Sequence, residues 1–598
     1  MKLRWLPQAL FCLLGLCAVP ARADEQQAAQ VSVAVEIDGL DDEAEQSNVE
    51  SWLGYSAAVE NKALSEERAR SLHAGAAKAI ALALEPFGYY QPAVVAQFEG
   101  QAPRFTARYR ISLGEPVRWQ PADVAVKGEG RDADFLPRLL EEQGLPEGGR
   151  ALHADYEAFK ARLVSAARED GYRDATLSGS VLAIDPKAHS AQAQLSLDTG
   201  PRYFFGATTL TGGFDIRENL LRRYLRYQQG EPYSPKKLLD SQFALSDIDY
   251  FDAVQFETAP EPQALGQLPI TATLTPRKNR RDSLGLGYGT DTGLRGSIGS
   301  EVRRLNRQGD KLSAELRVSE KSNAISTEIR HPQGSNPGEY LSLTGSIRQE
   351  QFSPGVSADD YKIGTSLNRT LGSWKRRYYL EFTRSITSIG YSAAATKAGQ
   401  RLAGETSTLV PGVSFSTAQI DDAINATRGY SLFLDAHGAE QDVLSSVTFL
   451  QGRALLRGVL PLPQRFRLSS RAEIGGTAVR GFNALPLEQR FFAGGDDSVR
   501  GYNYRDLGVR DIDGNNVGGK FLSVVSVELE RAIYGPYGAA LFWDAGGVGD
   551  TPAPKLHHGA GIGLRYRAPF GSVRIDLAHP FDRDAPALRL HIGVRVGL

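Results

Sequence analysis

Two periods divide the chain. From Val31 to about Arg277, strand-like alternation and helix-like spacing take turns. Val31, Val33, Val35 and Ile37 alternate with smaller or polar residues, as on a half-buried strand. Ser65-Glu66-Glu67 then opens a helix with a capping side chain and early acids. Leu72, Ala76, Ile80 and Ala83 keep one apolar face until Pro86 stops it. Ala93 to Phe98 and Phe105 to Leu113 read as two further strands, closed by Gly114-Glu115-Pro116.

The same grammar recurs twice. Val117 to Val126 is strand-like, and Tyr156, Phe159 and Leu163 mark a helix ending at Gly171. Gly171-Tyr172 echoes Gly88-Tyr89 at a spacing of 83 residues, and Thr199-Gly200-Pro201 echoes Gly114-Glu115-Pro116 at 85. A third unit starts at Tyr203, with a helix opened by Ser234 and Pro235 and with Tyr250-Phe251 in the echo position. Three copies at about 80 residues predict an array of domains, not a short-period solenoid.

After Arg281 the helix period disappears. Leu312, Ala314, Leu316 and Val318 alternate with Ser313, Glu315, Arg317 and Ser319. At the end Leu588, Leu590, Ile592, Val594, Val596 and Leu598 face one way, and Arg589, His591, Gly593, Arg595 and Gly597 the other. One apolar and one charged face, sustained this long, suit a wall between lipid and a polar lumen. A water-soluble β-sandwich also alternates. The leader described next, and a chain that stops on a strand residue, favour the barrel. Asp282 to Leu598 is 317 residues, which at about 10 residues per membrane strand plus turns accommodates roughly 16 strands.

Composition sharpens this. The chain has 598 residues, 62 of them glycine, and Met1 is the single methionine. Lys2 and Arg4, the apolar run Trp5 to Val19 and Ala21-Arg22-Ala23 read as an export leader, residues 1–23. A lipoprotein signal ending at Cys17 is the rival, but Leu16 is bulky where that processing wants a small residue. Both cysteines, Cys12 and Cys17, leave with the leader, so disulfides and thiolate metal sites are excluded. Losing Lys2, Arg4 and Arg22 takes the formal charge from −2 to −5, which does not suggest nucleic acid. Past Val19 no apolar run approaches the ~20 residues of a membrane helix.

The chemistry concentrates in Arg490 to Arg505, RFFAGGDDSVRGYNYR. Its glycines permit positive φ and close backbone approach, so it reads as a folded loop. A lone arginine among glycines and aromatics, in Val499-Arg500-Gly501-Tyr502, is presented for a bidentate carboxylate contact. Enzymatic signals are weak. The nine histidines are scattered, no HExxH occurs, and His557-His558 reads as a solvated loop pair. Asp511-Ile512-Asp513-Gly514-Asn515-Asn516 starts like a calcium loop but lacks the following acid, so it reads as an exposed turn. No catalytic residue, cofactor or metal is expected.

The strand–helix–helix–strand–strand order resembles the polypeptide-transport-associated (POTRA) domain. Phe491-Phe492-Ala493-Gly494-Gly495, Ser498-Val499-Arg500-Gly501-Tyr502, Phe542-Trp543-Asp544-Ala545-Gly546, Gly561-Ile562-Gly563-Leu564-Arg565 and Arg574-Ile575-Asp576 resemble the superfamily of BamA, TamA and the two-partner-secretion transporters. The resemblance implies three α+β POTRA domains (24–114, 115–200, 201–278) and a 16-stranded transmembrane antiparallel barrel (279–598). Three POTRA domains fit the TamA branch, since BamA-type chains usually carry five and two-partner transporters two with a plug helix.

That branch implies a non-enzymatic factor in the Gram-negative outer membrane, with POTRA domains in the periplasm. It would insert β-barrel clients, notably autotransporters, with a TamB-like inner-membrane-anchored partner. A two-partner transporter exporting one large adhesin is the alternative. By the same resemblance Arg500 folds inside the barrel to meet Glu528 and Asp544, while Val499, Gly501 and Tyr502 complete the loop-to-wall lock. The seam would join Gly285, Gly287 and Gly289 to Val594, Val596 and Leu598. Glycine there either weakens the strand for opening or relieves crowding; its presence supports both.

Overall fold

The computed structural model describes residues 31–55, 64–353, 355–389, 404–422, 425–512, 514–568, 571–582 and 588–595. The expected leader (1–23), with Cys12 and Cys17, lies outside the described residues, as do Asp513 and the seam candidates Val596 and Leu598.

Near the N-terminus, helices Glu43–Leu53 and Glu66–Leu84 cover a three-stranded sheet ordered Ser32–Asp38, Arg104–Ser112, Ala93–Gln101. The outer pairs are parallel and antiparallel respectively. Ser65 caps the second helix by accepting from the Arg68 N–H at 3.2 Å. Ala69, Ala76, Ile80 and Ala83 of that helix bury against Phe105, Ala107, Tyr109 and Ile111. Small residues on the helix let the aromatic strand face approach closely, so one compact core forms.

The second unit repeats the plan with helices Phe135–Gln143 and His153–Glu169. The strand anticipated over Val117–Val126 is in fact broken into Arg118–Trp119 and Asp123–Lys127. Pro121 sits in the gap, where a residue without an N–H cannot continue the ladder. A polar joint ties the two units together. Arg150 donates to Glu45 at 2.8 Å and to the Tyr89 hydroxyl at 3.1 Å, and the Tyr90 hydroxyl meets His153 Nε2 at 2.6 Å.

The third unit orders its strands Phe204–Thr211, Gln267–Pro276, Phe251–Thr258, with helix Pro235–Asp247. Its Asp249-Tyr250 corner is gripped by the turn that follows the barrel strand Gly293–Val302. Arg303 reaches Asp249 at 2.8 Å and Arg304 reaches the Tyr250 carbonyl at 2.7 Å.

Then sixteen antiparallel strands close into a barrel, from Arg280–Gly289 to Arg589–Arg595. Period-two alternation decides the faces. Leu284, Leu286, Leu541 and Trp543 point outward and are exposed, whereas Phe542, Asp544 and Asp576 point inward and are buried. A polar interior needs pairing. Glu473 lies between Arg453 and Arg471, and Glu530 between Arg467 and Arg567. Residues 481–512 and 514–520, between the eleventh strand (Phe466–Arg480) and the twelfth (Phe521–Tyr534), belong to a long loop. Its own two-stranded piece joins Val509–Arg510 to Asn516–Gly518.

Burial holds His153 below the ordinary imidazole value and pushes the Tyr90 hydroxyl up to about 12. Folding therefore favours the neutral imidazole. This stability is full above about pH 6.5 and is lost as pH falls through the lower folded value. The melting temperature of the POTRA region should fall on acidification from about pH 7 to about pH 5, and His153→Gln should flatten that dependence in calorimetry.

Candidate functional site

The long loop enters the barrel and puts its arginine against the wall. Val499 is fully buried with Phe491, Ala493, Tyr502, Leu522 and Val524, an apolar plug that fixes the loop beside the twelfth strand. Gly501 has φ +95°, and a Cβ there would lie 3.0 Å from Pro580 N, so a side chain is both strained and crowded. The chain turns there, and Tyr502 buries its ring and donates to the His558 carbonyl (3.3 Å) or Asp582 (3.2 Å).

Arg500 makes a fork with Asp544 on the thirteenth strand (Tyr537–Gly549). Its Nε meets Oδ2 at 2.7 Å and its Nη2 meets Oδ1 at 3.0 Å, while its backbone N–H donates to the same carboxylate at 3.1 Å. Nη1 reaches Glu528 at 2.9 Å and Asp576 at 3.0 Å. The guanidinium lies 3.5 Å from the centre of the Phe542 ring. Planarity matters, because one face stacks on the aromatic while the edge feeds three carboxylates.

Arg565, on the fourteenth strand (His557–Ala568), completes the cluster by donating to Glu528 at 2.9 Å and to Asp576. Two guanidiniums thus hold three carboxylates. Asp576 and Arg565 belong to segments noted above only for their resemblance, without a role. Their alternation with Ile575, Leu577, Leu564 and Tyr566 marks them as lumen-facing, a signal that was available. The His557-His558 pair, expected in a solvated loop, instead begins the fourteenth strand, with His558 stacked on Trp543 at 5.7 Å. Strand pairing with Ala545 and Gly546 extends further than the Pro/Lys-rich flank suggested. Asp511 accepts from the Asn515 N–H at 2.8 Å, closing the turn on itself.

The seam residues meet more sparsely. The first strand pairs with the second (Gly293–Val302) over ten positions, Arg280 to Gly289. Toward the last strand, Gly289 opposite Gly593 is the one register pair among the described residues. On the other side of the first strand, Gly285 and Gly287 face Ser297 and Arg295 of the second strand. A Cβ on Gly287 would lie 2.8 Å from Arg295 Nε. That space lets Arg295 cross the first strand and donate to the Val594 carbonyl at 2.8 Å.

Donor atoms of Asp291, Asp496 and His591 gather near this seam within 4.8 Å of one another, a spacing that a cation could bridge. The hydrogen bonds argue otherwise. His591 Nε2 accepts the Gly501 N–H at 2.9 Å, so the ring proton sits on Nδ1 and is donated to Asp496. The trio is a hydrogen-bond relay.

POTRA units followed by a closed barrel with an arginine loop clamped in its lumen define an outer-membrane protein with periplasmic POTRA domains, as found in Gram-negative bacteria. Residues 305–594 match the Omp85 superfamily domain, residues 34–113 the first POTRA domain of TamA, and residues 203–277 the POTRA family described as a surface antigen variable number repeat. Most of the barrel is thus similar to the Omp85 superfamily domain. BamA of Neisseria meningitidis is 25% identical over 544 residues, covering 79% of this chain and 66% of the relative. BamA of Nitratidesulfovibrio vulgaris is 24% identical over 403 residues, covering 64% of this chain and 49% of the relative. The crystal structure of Haemophilus ducreyi BamA lacking POTRA domains 1–3 shares the fold, at a TM-score of 0.65 and 15% identity, over 80% of this chain and 99% of that one.

Removing Arg500 strands the fully buried Asp544 and leaves the fully buried Asp576 to Arg565. Arg500→Ala should destabilise the barrel by about 3–5 kcal/mol, and Arg500→Lys, which keeps the charge without the fork, by less. Thermal unfolding in detergent, followed by heat-modified gel mobility, measures both; an unshifted midpoint for Arg500→Ala would contradict the assignment.

Proposed function

We propose that this protein folds and inserts other β-barrel proteins, notably autotransporters, into the outer membrane, and that it works without a cofactor. An unfolded client would pair with a free POTRA sheet edge through backbone hydrogen bonds, irrespective of its sequence. It would then add to the barrel where the first and last strands part. The observation that carries this reading is the asymmetry of pairing around the first strand among the described residues: ten register pairs with the second strand against one with the last. A barrel opens where the fewest backbone bonds must break.

The match of residues 34–113 to the first POTRA domain of TamA supports the TamA branch. The implied partner is then a long, TamB-like chain anchored in the inner membrane, and the surrounding lipid belongs to the outer membrane. Arg500, Glu528 and Asp544, with Val499, Gly501 and Tyr502, hold the loop and so keep the barrel in a shape competent to receive a strand.

Cysteines at Tyr288 and Val594, next to the Gly289–Gly593 pair in antiparallel register, should form a disulfide that closes the seam. Insertion of an autotransporter barrel into proteoliposomes should stop in the oxidised protein and return on reduction. Undiminished insertion in the closed form would sink the gating reading.

A further inference from the structure

The loop that carries Arg500 also touches both strands of the seam, through a different set of residues. Asp496 accepts from the Thr290 hydroxyl at 3.2 Å, just after the first strand, and from His591 Nδ1 on the last. Thr290 bonds across to Ile592 twice: its N–H donates to the Ile592 carbonyl at 3.3 Å, and its hydroxyl accepts the Ile592 N–H at 3.2 Å. The Asp496 N–H donates in turn to Asp291. From the other side Arg574 extends over Gly593, where a Cβ would lie 2.8 Å from its Nε, and donates to the Asp496 carbonyl at 2.9 Å. His591 is almost completely buried, so its bonds to Gly501 and Asp496 face little competition from water.

We propose that Asp496, Thr290 and His591 form a clasp by which the loop itself holds the seam shut, distinct from the Arg500 anchor that holds the loop to the wall. The chemistry separates the two. Among the described residues Arg500 bonds to strands twelve, thirteen and fifteen (Gly571–Pro580), none of which borders the seam. Asp496 bonds to residues on each side of it. Where backbone pairing between the first and last strands is a single register pair among the described residues, three or four side-chain hydrogen bonds, one set charged, are a large share of what opposes opening there. Asp496, Thr290 and His591 are therefore positioning residues for the seam. The clasp rests on the reading that the seam opens, but its test reads the seam directly.

The reporter is the yield of the Tyr288–Val594 cysteine pair under brief mild oxidation in the full chain, in vesicles of outer-membrane lipid. Asp496→Ala and His591→Ala should each lower that yield about tenfold, the equilibrium effect of losing a hydrogen bond to a charged group. His591→Gln, which can still accept from Gly501 and donate to Asp496, should recover most of it. Arg500→Lys should lower thermal stability without lowering the yield, a split that a generally loosened loop cannot produce. If the alanine variants fail to fold, Thr290→Val decides, because it deletes one hydroxyl at constant shape. Yields equal to the parent in the folded alanine variants, or in Thr290→Val, overturn the clasp. A lowered yield supports it, and client insertion measured in parallel then judges gating separately: a loosened seam with unchanged insertion keeps the clasp and removes the gating mechanism.

Discussion

A charge inside a membrane cylinder must find its opposite there. Asp544 and Asp576 are fully buried in the lumen wall, and neither has bulk water to solvate it. Arg500 meets both, and Glu528, from the tip of a loop that must enter the barrel to reach them. Once that constraint is set, the rest of the loop follows. Gly501 turns where a Cβ would strike Pro580, Val499 plugs an apolar gap, and Tyr502 buries its ring while its hydroxyl stays bonded. The lock is thus an electrostatic requirement of the wall, satisfied by a residue from elsewhere in the chain.

The seam obeys the opposite logic. Elsewhere in the barrel, neighbouring strands share long registers, up to sixteen pairs between the sixth (Val356–Leu371) and seventh (Trp374–Ile389) strands. At the closure, the backbone register among the described residues is the Gly289–Gly593 pair, and side chains add contacts across it. Gly287 leaves a floor across which Arg295 reaches the last strand, and Gly593 one across which Arg574 reaches Asp496 of the loop, so the glycines make room for these contacts. Side-chain bonds can be exchanged one at a time, whereas a ladder parts cooperatively. A closure built from them is easier to release and remake.

Much of this was legible in the chain. Period two separates lumen from lipid at Phe542, Asp544, Leu541 and Trp543 because a strand offers each side chain one of two faces and lipid tolerates one kind. Capping at Ser65 and the proline at 235 mark helices by local chemistry. Other features depend on what tertiary pairing brings near. Pro121 splits a strand whose apolar pattern runs straight through it. His557 and His558 join a strand because Ala545 and Gly546 offer partners, against the leaning of their Pro/Lys-rich neighbours. The contact between Asp496 and His591 spans 95 residues and two elements. No periodicity encodes such a meeting; only the closure of the barrel makes it.

The central claim is that the loop's guanidinium is held inside the cylinder by wall carboxylates. Cryo-electron microscopy of the full chain in lipid nanodiscs tests it most directly. The account predicts density joining Arg500 to Asp544 in a two-point fork, with Glu528 and Asp576 within hydrogen-bond reach. A loop withdrawn from the lumen, with Arg500 in water and Asp544 paired to some other cation, would contradict it.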